Sequence, residues 1–203
     1  MSVLYVFPLL VLFSVGTVEP EPQDCEDLVK PVALEDKRII FGDWIFLEGF
    51  GNLDIVNDIL RKTKSSWIQI LPTSDNETAL LNQGNLIDGK CLNSSVYMTF
   101  SGNSFQATHD NVSSTGRLLQ TCPDCLTMQL SSVMEGQNVQ CLYIFGKNRT
   151  LLESDLKYFR TQAQCLQYPQ PAPYSYDGVT EFCAEENKRL YVVETQKEKV
   201  VLQ

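Results

Sequence analysis

Alternating apolar and polar residues dominate the chain from residue 41 to residue 145. The first such run, 41–50 (FGDWIFLEGF), opens on Gly42, where the backbone can turn sharply. Trp44 can then close the end of an apolar interior. Beyond it Phe46 and Glu48 share one face, with Ile45 and Leu47 on the other. This predicts the first strand of a curved antiparallel sheet. Residues 67–71 form a second strand that Pro72 ends. Extended segments at 78–82 and 85–87 follow, separated by a break at Gly84. Five more runs, at 91–101, 105–108, 115–121, 126–130 and 139–145, alternate between turns such as Gly102-Asn103-Ser104 and Gly136-Gln137-Asn138. About eight short strands at this spacing predict an all-β sandwich or closed barrel.

Two stretches depart from that period. In 51–64, Leu53, Val56, Ile59 and Leu60 fall at helical spacing before the basic Arg61, Lys62 and Lys64. This is a helical turn or a large loop with one apolar face, and between two strands it would form a lid. After residue 150, Leu152, Leu156, Phe159, Ala163 and Leu166 form one stripe. It predicts a helix over 151–166 that docks on the outside of the sheet. Thr150 and Glu153 read as its capping box, and the proline-rich 169–173 stops it.

Composition narrows the class. A chain of 203 residues suits one domain with a substantial core. The net charge of −9 is dispersed, which disfavours nucleic acid, and no nucleic-acid partner is expected. Residues 3–15 are almost wholly apolar but too short to span a bilayer comfortably. They read as a secretory signal peptide within 1–18, although no Lys or Arg precedes the run; an uncleaved anchor is the alternative. No stable membrane insertion is expected after cleavage. In an exported chain, seven cysteines imply disulfides, with one left unpaired or paired between chains. Sequons at Asn76, Asn93, Asn111 and Asn148 add the expectation of a secreted, extracellular glycoprotein. The charged tail 184–203 should be weakly ordered.

Catalytic chemistry is poorly represented. The single histidine, His109, falls in a polar hairpin tip, and no hydrolase, metalloprotease or nucleotide-binding motif occurs. A metal site would need cysteines already expected to be oxidised. No enzyme activity, cofactor or metal is expected.

The G-x-W of Gly42-Asp43-Trp44, the meander and the late capped helix together resemble the lipocalin family. The similarity is to its orosomucoid-like branch, with the fish toxin-binding and tributyltin-binding relatives. Further residues carry it: 67–72, the Cys-x-Asn-x-Ser-x-Tyr run of 91–97, Phe159 through Cys165-Leu166, and 174–183. The resemblance implies an eight-stranded antiparallel up-and-down β-barrel over 19–183. It also implies bridges Cys25–Cys165 and Cys91–Cys183, leaving Cys122, Cys125 and Cys141 for a third bridge of open pairing and one free thiol. The basic residue that covers Trp44 in the family would be Lys147 or Arg149; of the turn signature before Leu126, only Thr121 and Asp124 remain.

A closed barrel of this size holds one small ligand. Alternation, with the family's pocket positions breaking ties, places Phe46, Glu48, Ile68, Ile70, Leu81 and Val96 inside. Met98, Phe100, Leu118, Met128, Leu130, Tyr143 and Phe145 join them. Glu48, if inward, would hold an ammonium or guanidinium group with help from Tyr143 and Phe46; otherwise it lies solvated at the mouth. The function implied is a secreted binder that carries or sequesters a small hydrophobic or amphipathic ligand, extending to cationic toxins. The alternative is a closed barrel acting through surface contacts, as acute-phase or immunomodulatory glycoproteins do. A lipocalin enzyme using Cys125 or Cys141 as nucleophile is a third reading.

Overall fold

The computed structural model describes residues 24–109 and 112–184. The apolar run 3–15, the Asn111 sequon and the tail beyond Ala184 lie outside the described residues. Eight antiparallel strands follow one another in the chain: β1 (Gly42–Gly51), β2 (Thr63–Pro72), β3 (Thr78–Ile87) and β4 (Lys90–Ser101), then β5 (Ser104–His109), β6 (Val112–Leu119), β7 (Cys125–Met134) and β8 (Gln137–Gly146). Each pairs with the next, β8 returns to β1, and β1 pairs with β2, so the sheet closes as an up-and-down barrel.

β3 runs unbroken through Gly84, where the sequence predicts a gap. Gly84 is needed for a different reason. A Cβ there would overlap the Trp67 indole, which lies across it and donates its Nε1–H to the Cys183 carbonyl at 2.9 Å.

A bulge between Phe46 and Glu48 divides β1. Phe46 pairs with Phe145 but Glu48 with Ile144, so Leu47 and Glu48 both turn outward. Leu47 joins Phe50, Leu142 and Ile144 in an outer cluster. Against that cluster packs α3 (Glu153–Cys165), with Phe159 and Ala163 buried. The apolar stripe thus docks outside the sheet, but the helix starts later than the stripe suggests. Its N-cap is Leu152, which is exposed, and no side chain caps it; Leu151 packs inward instead. Glu153 reaches Arg160 at 3.3 Å rather than completing a capping box.

The lower end of the barrel is plugged. A 3-10 turn (Lys37–Ile40) crosses it, and Trp44 donates Nε1–H to the Ile40 carbonyl at 2.8 Å. Lys147 Nζ lies 3.5 Å from the Trp44 ring centre, so Lys147 covers the indole. Arg149 instead stacks on Phe182 and pairs with Glu181. At the upper end, α2 (Asp54–Lys62) connects β1 to β2 as a full helix.

Three disulfides tie the chain: Cys25–Cys165, Cys91–Cys183 and Cys122–Cys125, with Cys141 free and buried. The first anchors the short α1 (Cys25–Leu28) to the end of α3. The second fixes 174–184 against the barrel. This strap begins as β9 (Tyr174–Ser175) on β1, continues to Ser65 Oγ, which donates to the Glu181 carbonyl at 2.7 Å, and ends where Asn93 binds Ala184.

Candidate functional site

Inside the upper half of the barrel lies a cavity of about 560 Å³. That is ample for a small organic molecule. It is lined by Phe46, Ile68, Leu81, Val96 and Met98, and by Met128, Leu130, Tyr143 and Phe145, all expected from alternation together with the family resemblance. Four expected residues lie elsewhere. Ile70, Phe100 and Leu118 belong to the buried cluster that includes Ile40 and Trp44 and do not line the cavity, because their strand positions are too near the plugged end. Glu48 is outside the barrel altogether, since the bulge reverses its parity. It is 1% exposed and bonds Arg160 of α3 through both Nε (2.9 Å) and Nη2 (2.6 Å). It therefore is neither an inward cation site nor a solvated mouth residue.

The wall formed by β1 and β8 is aromatic. Phe46 meets Tyr143 edge-on at 4.9 Å, Phe145 at 5.2 Å, and stacks on Tyr174 at 4.4 Å. Gly49 makes room for this cluster: a Cβ there would overlap the Phe46 ring. Tyr174 reaches the cluster from the strap, and its hydroxyl donates to the Phe46 carbonyl at 3.3 Å. Burial pushes the Tyr143 phenol well above its ordinary range, so it stays neutral and able to donate.

The wall formed by β2, β3 and β4 is mixed. Ser66, Gln83 and Asn85 line the cavity, with Thr63 at the mouth. Ser66 Oγ donates to Asn85 Oδ1 at 2.7 Å, and Gln83 Nε2 donates to Ser94 Oγ at 2.7 Å. Ile59 and Leu60 of α2 close part of the mouth; Leu60 is buried and Ile59 about half exposed. Ile87, His109 and Met134 stand at strand ends on the same rim.

These polar and rim residues escaped the sequence reading, although parity carried the signal. Residues 81, 83, 85 and 87 share one face once β3 is read through Gly84. Likewise Ser66 shares a face with Ile68, as do Phe105 and Ala107 of β5, and Val112 and Ser114 of β6, all of them lining residues. Among the described residues, no group of three His, Cys, Asp or Glu side chains is placed to hold a metal ion, and no helix is long and apolar enough to cross a membrane.

No family model matches the chain. It is 25% identical over 182 residues to the saxitoxin and tetrodotoxin-binding protein 1 of Takifugu pardalis, an alignment covering 80% of this chain and 45% of that protein. The chain thus spans about half the length of the curated relatives it matches. Among solved structures, the siderocalin Ex-FABP superposes with a TM-score of 0.61 at 12% identity, covering 73% of this chain and 96% of that one. A dog lipocalin allergen superposes at 0.59 with 18% identity, covering 72% and 99%. The barrel, with its closing strand pairs and single docked helix, is the lipocalin fold.

Proposed function

We propose that this lipocalin-fold protein binds a small hydrophobic or amphipathic molecule inside its barrel and carries or sequesters it outside the cell. The observation that carries the reading is the cavity of about 560 Å³, walled by Phe46, Met98, Met128 and Phe145 and opening beside α2. Removing apolar ligand surface from water there is worth about 25 cal/mol per Å². A barrel acting only through its surface would have no need of that hollow. The toxin-binding relatives support small-molecule binding as the class of activity. Three disulfides, together with the apolar run at 3–15, support an oxidising, extracellular setting.

Neither tryptophan lines the cavity, so a bound reporter is the better test. Titration with N-phenyl-1-naphthylamine, a neutral lipophile whose emission rises in apolar surroundings, should saturate at one site per chain. Competing lipophiles should displace it. Emission that never saturates, at any protein concentration, would remove the basis for the proposal.

A further inference from the structure

The cavity wall carries a more specific instruction, which rests on the ligand-binding reading above. We infer that the occupant is an uncharged amphiphile: an apolar body bearing one neutral hydrogen-bonding head group, such as an amide or alcohol. Its head lies against a polar strip on β2, β3 and β4.

The strip follows from register. Ser66 pairs with Asn85 and Gln83 with Ser94, so the four side chains occupy two adjacent levels of one wall. The bond from Ser66 uses the Asn85 carbonyl oxygen, and the bond to Ser94 uses the Gln83 amide nitrogen. That leaves an Asn85 N–H₂ donor and a Gln83 carbonyl acceptor for a group that can both give and take a hydrogen bond. One level deeper, Ile70 pairs with Leu81 and Leu81 with Val96, and the wall becomes apolar.

Among the described residues that line the cavity there is no Asp, Glu, Lys or Arg. A carboxylate, ammonium or guanidinium head placed at the strip would lose its water and meet only dipoles. Glu48, the carboxylate nearest in sequence to the aromatic wall, is turned outward and already held by Arg160. His109 is the one lining side chain of its kind, at the rim end of β5 rather than in the strip. The chain is similar to proteins named for binding saxitoxin and tetrodotoxin, yet its own lining favours a neutral guest.

The test is displacement of N-phenyl-1-naphthylamine by five compounds sharing one alkyl chain: dodecanol, dodecanamide, dodecanoate, dodecylammonium and dodecylguanidinium, each kept below its micellar concentration. The alcohol and amide should compete at concentrations at least about tenfold below those of the three ions. Gln83→Leu combined with Asn85→Leu should weaken dodecanamide about tenfold relative to the naphthylamine. An ion that competes as well as the alcohol overturns the inference, as does an amide-to-naphthylamine ratio unmoved by the double substitution. The wild-type series decides the matter alone if the double variant does not fold. Naphthylamine bound with no head-group preference overturns this inference only. A protein that binds no naphthylamine overturns the ligand-binding proposal and this inference with it.

Discussion

Glu48 and Arg160 form an ion pair whose two ends sit in different surroundings. The carboxylate is 1% exposed beneath α3, whereas the guanidinium is 39% exposed and also touches Glu153. Loss of either partner therefore has unequal consequences. Arg160→Ala strands a buried carboxylate and should cost about 2–3 kcal/mol, less than for a fully buried pair because water reaches the site. Glu48→Gln leaves an arginine that solvent can serve and should cost about 1 kcal/mol. Urea unfolding midpoints of the two variants test the order, and naphthylamine affinity should be unchanged in Glu48→Gln because the pair lies outside the cavity. Cys141 makes a second prediction at this scale. Burial raises its thiol, only partly offset by a hydrogen bond with Tyr143, so the folded state prefers the protonated form. Its contribution to stability is then complete below the ordinary thiol range and is lost as pH rises from that range through the raised folded value. Iodoacetamide at neutral pH should add one group per chain in denaturant and almost none in the native protein, as read by mass; fast native labelling would contradict the buried placement.

At the scale of elements, legibility followed periodicity and failed where a single residue altered it. The strands of the meander and the stripe of α3 were readable because burial on one face imposes period two or 3.6 on the sequence. The bulge at Leu47 was not, since an extra residue in one strand leaves no compositional trace: Phe46 and Glu48 look like neighbours on one face and are not. Nor was the continuity of β3, because glycine reads as a break unless the partner filling its space, here Trp67, is known. The strap 174–184 has almost no periodicity; only its cysteine, seen through a family resemblance, hinted at where it lies. That bridge closes a loop spanning a sequence separation of 92, for which chain entropy gives roughly 4–5 kcal/mol. Replacing both Cys91 and Cys183 by serine should lower the unfolding free energy by about that amount. It should also free the Trp67 indole from its carbonyl partner, visible as a red shift in tryptophan emission. An unshifted spectrum would mean the hydrogen bonds of Ser65, Trp67 and Asn93 hold the strap unaided.

Across the whole molecule, one barrel serves two purposes at its two ends. Near the plug, inward residues such as Ile70, Phe100 and Leu118 share a buried cluster with Trp44 and Ile40 and act as core; toward the mouth, the same faces of the same strands border empty space. Alternation tells which residues point inward but not how high along the axis packing stops. That level is set by the depth of the 3-10 plug and by the bulk of Trp44, which are three-dimensional facts. Stability and binding should accordingly separate by height. Ile70→Ala opens a void in a site with 0% exposure and should cost about 2–4 kcal/mol while leaving naphthylamine bound in the remaining folded protein. Ala107→Trp, in the partly buried upper wall, fills space that is already hollow. It should leave the thermal midpoint within a few degrees of the parent or raise it, and weaken naphthylamine by more than about tenfold. Parallel thermal melts and titrations on the two variants read both effects. If instead both variants lost stability and binding together, the upper hollow would be part of the load-carrying core, and a cavity held open for a guest would have no place in this barrel.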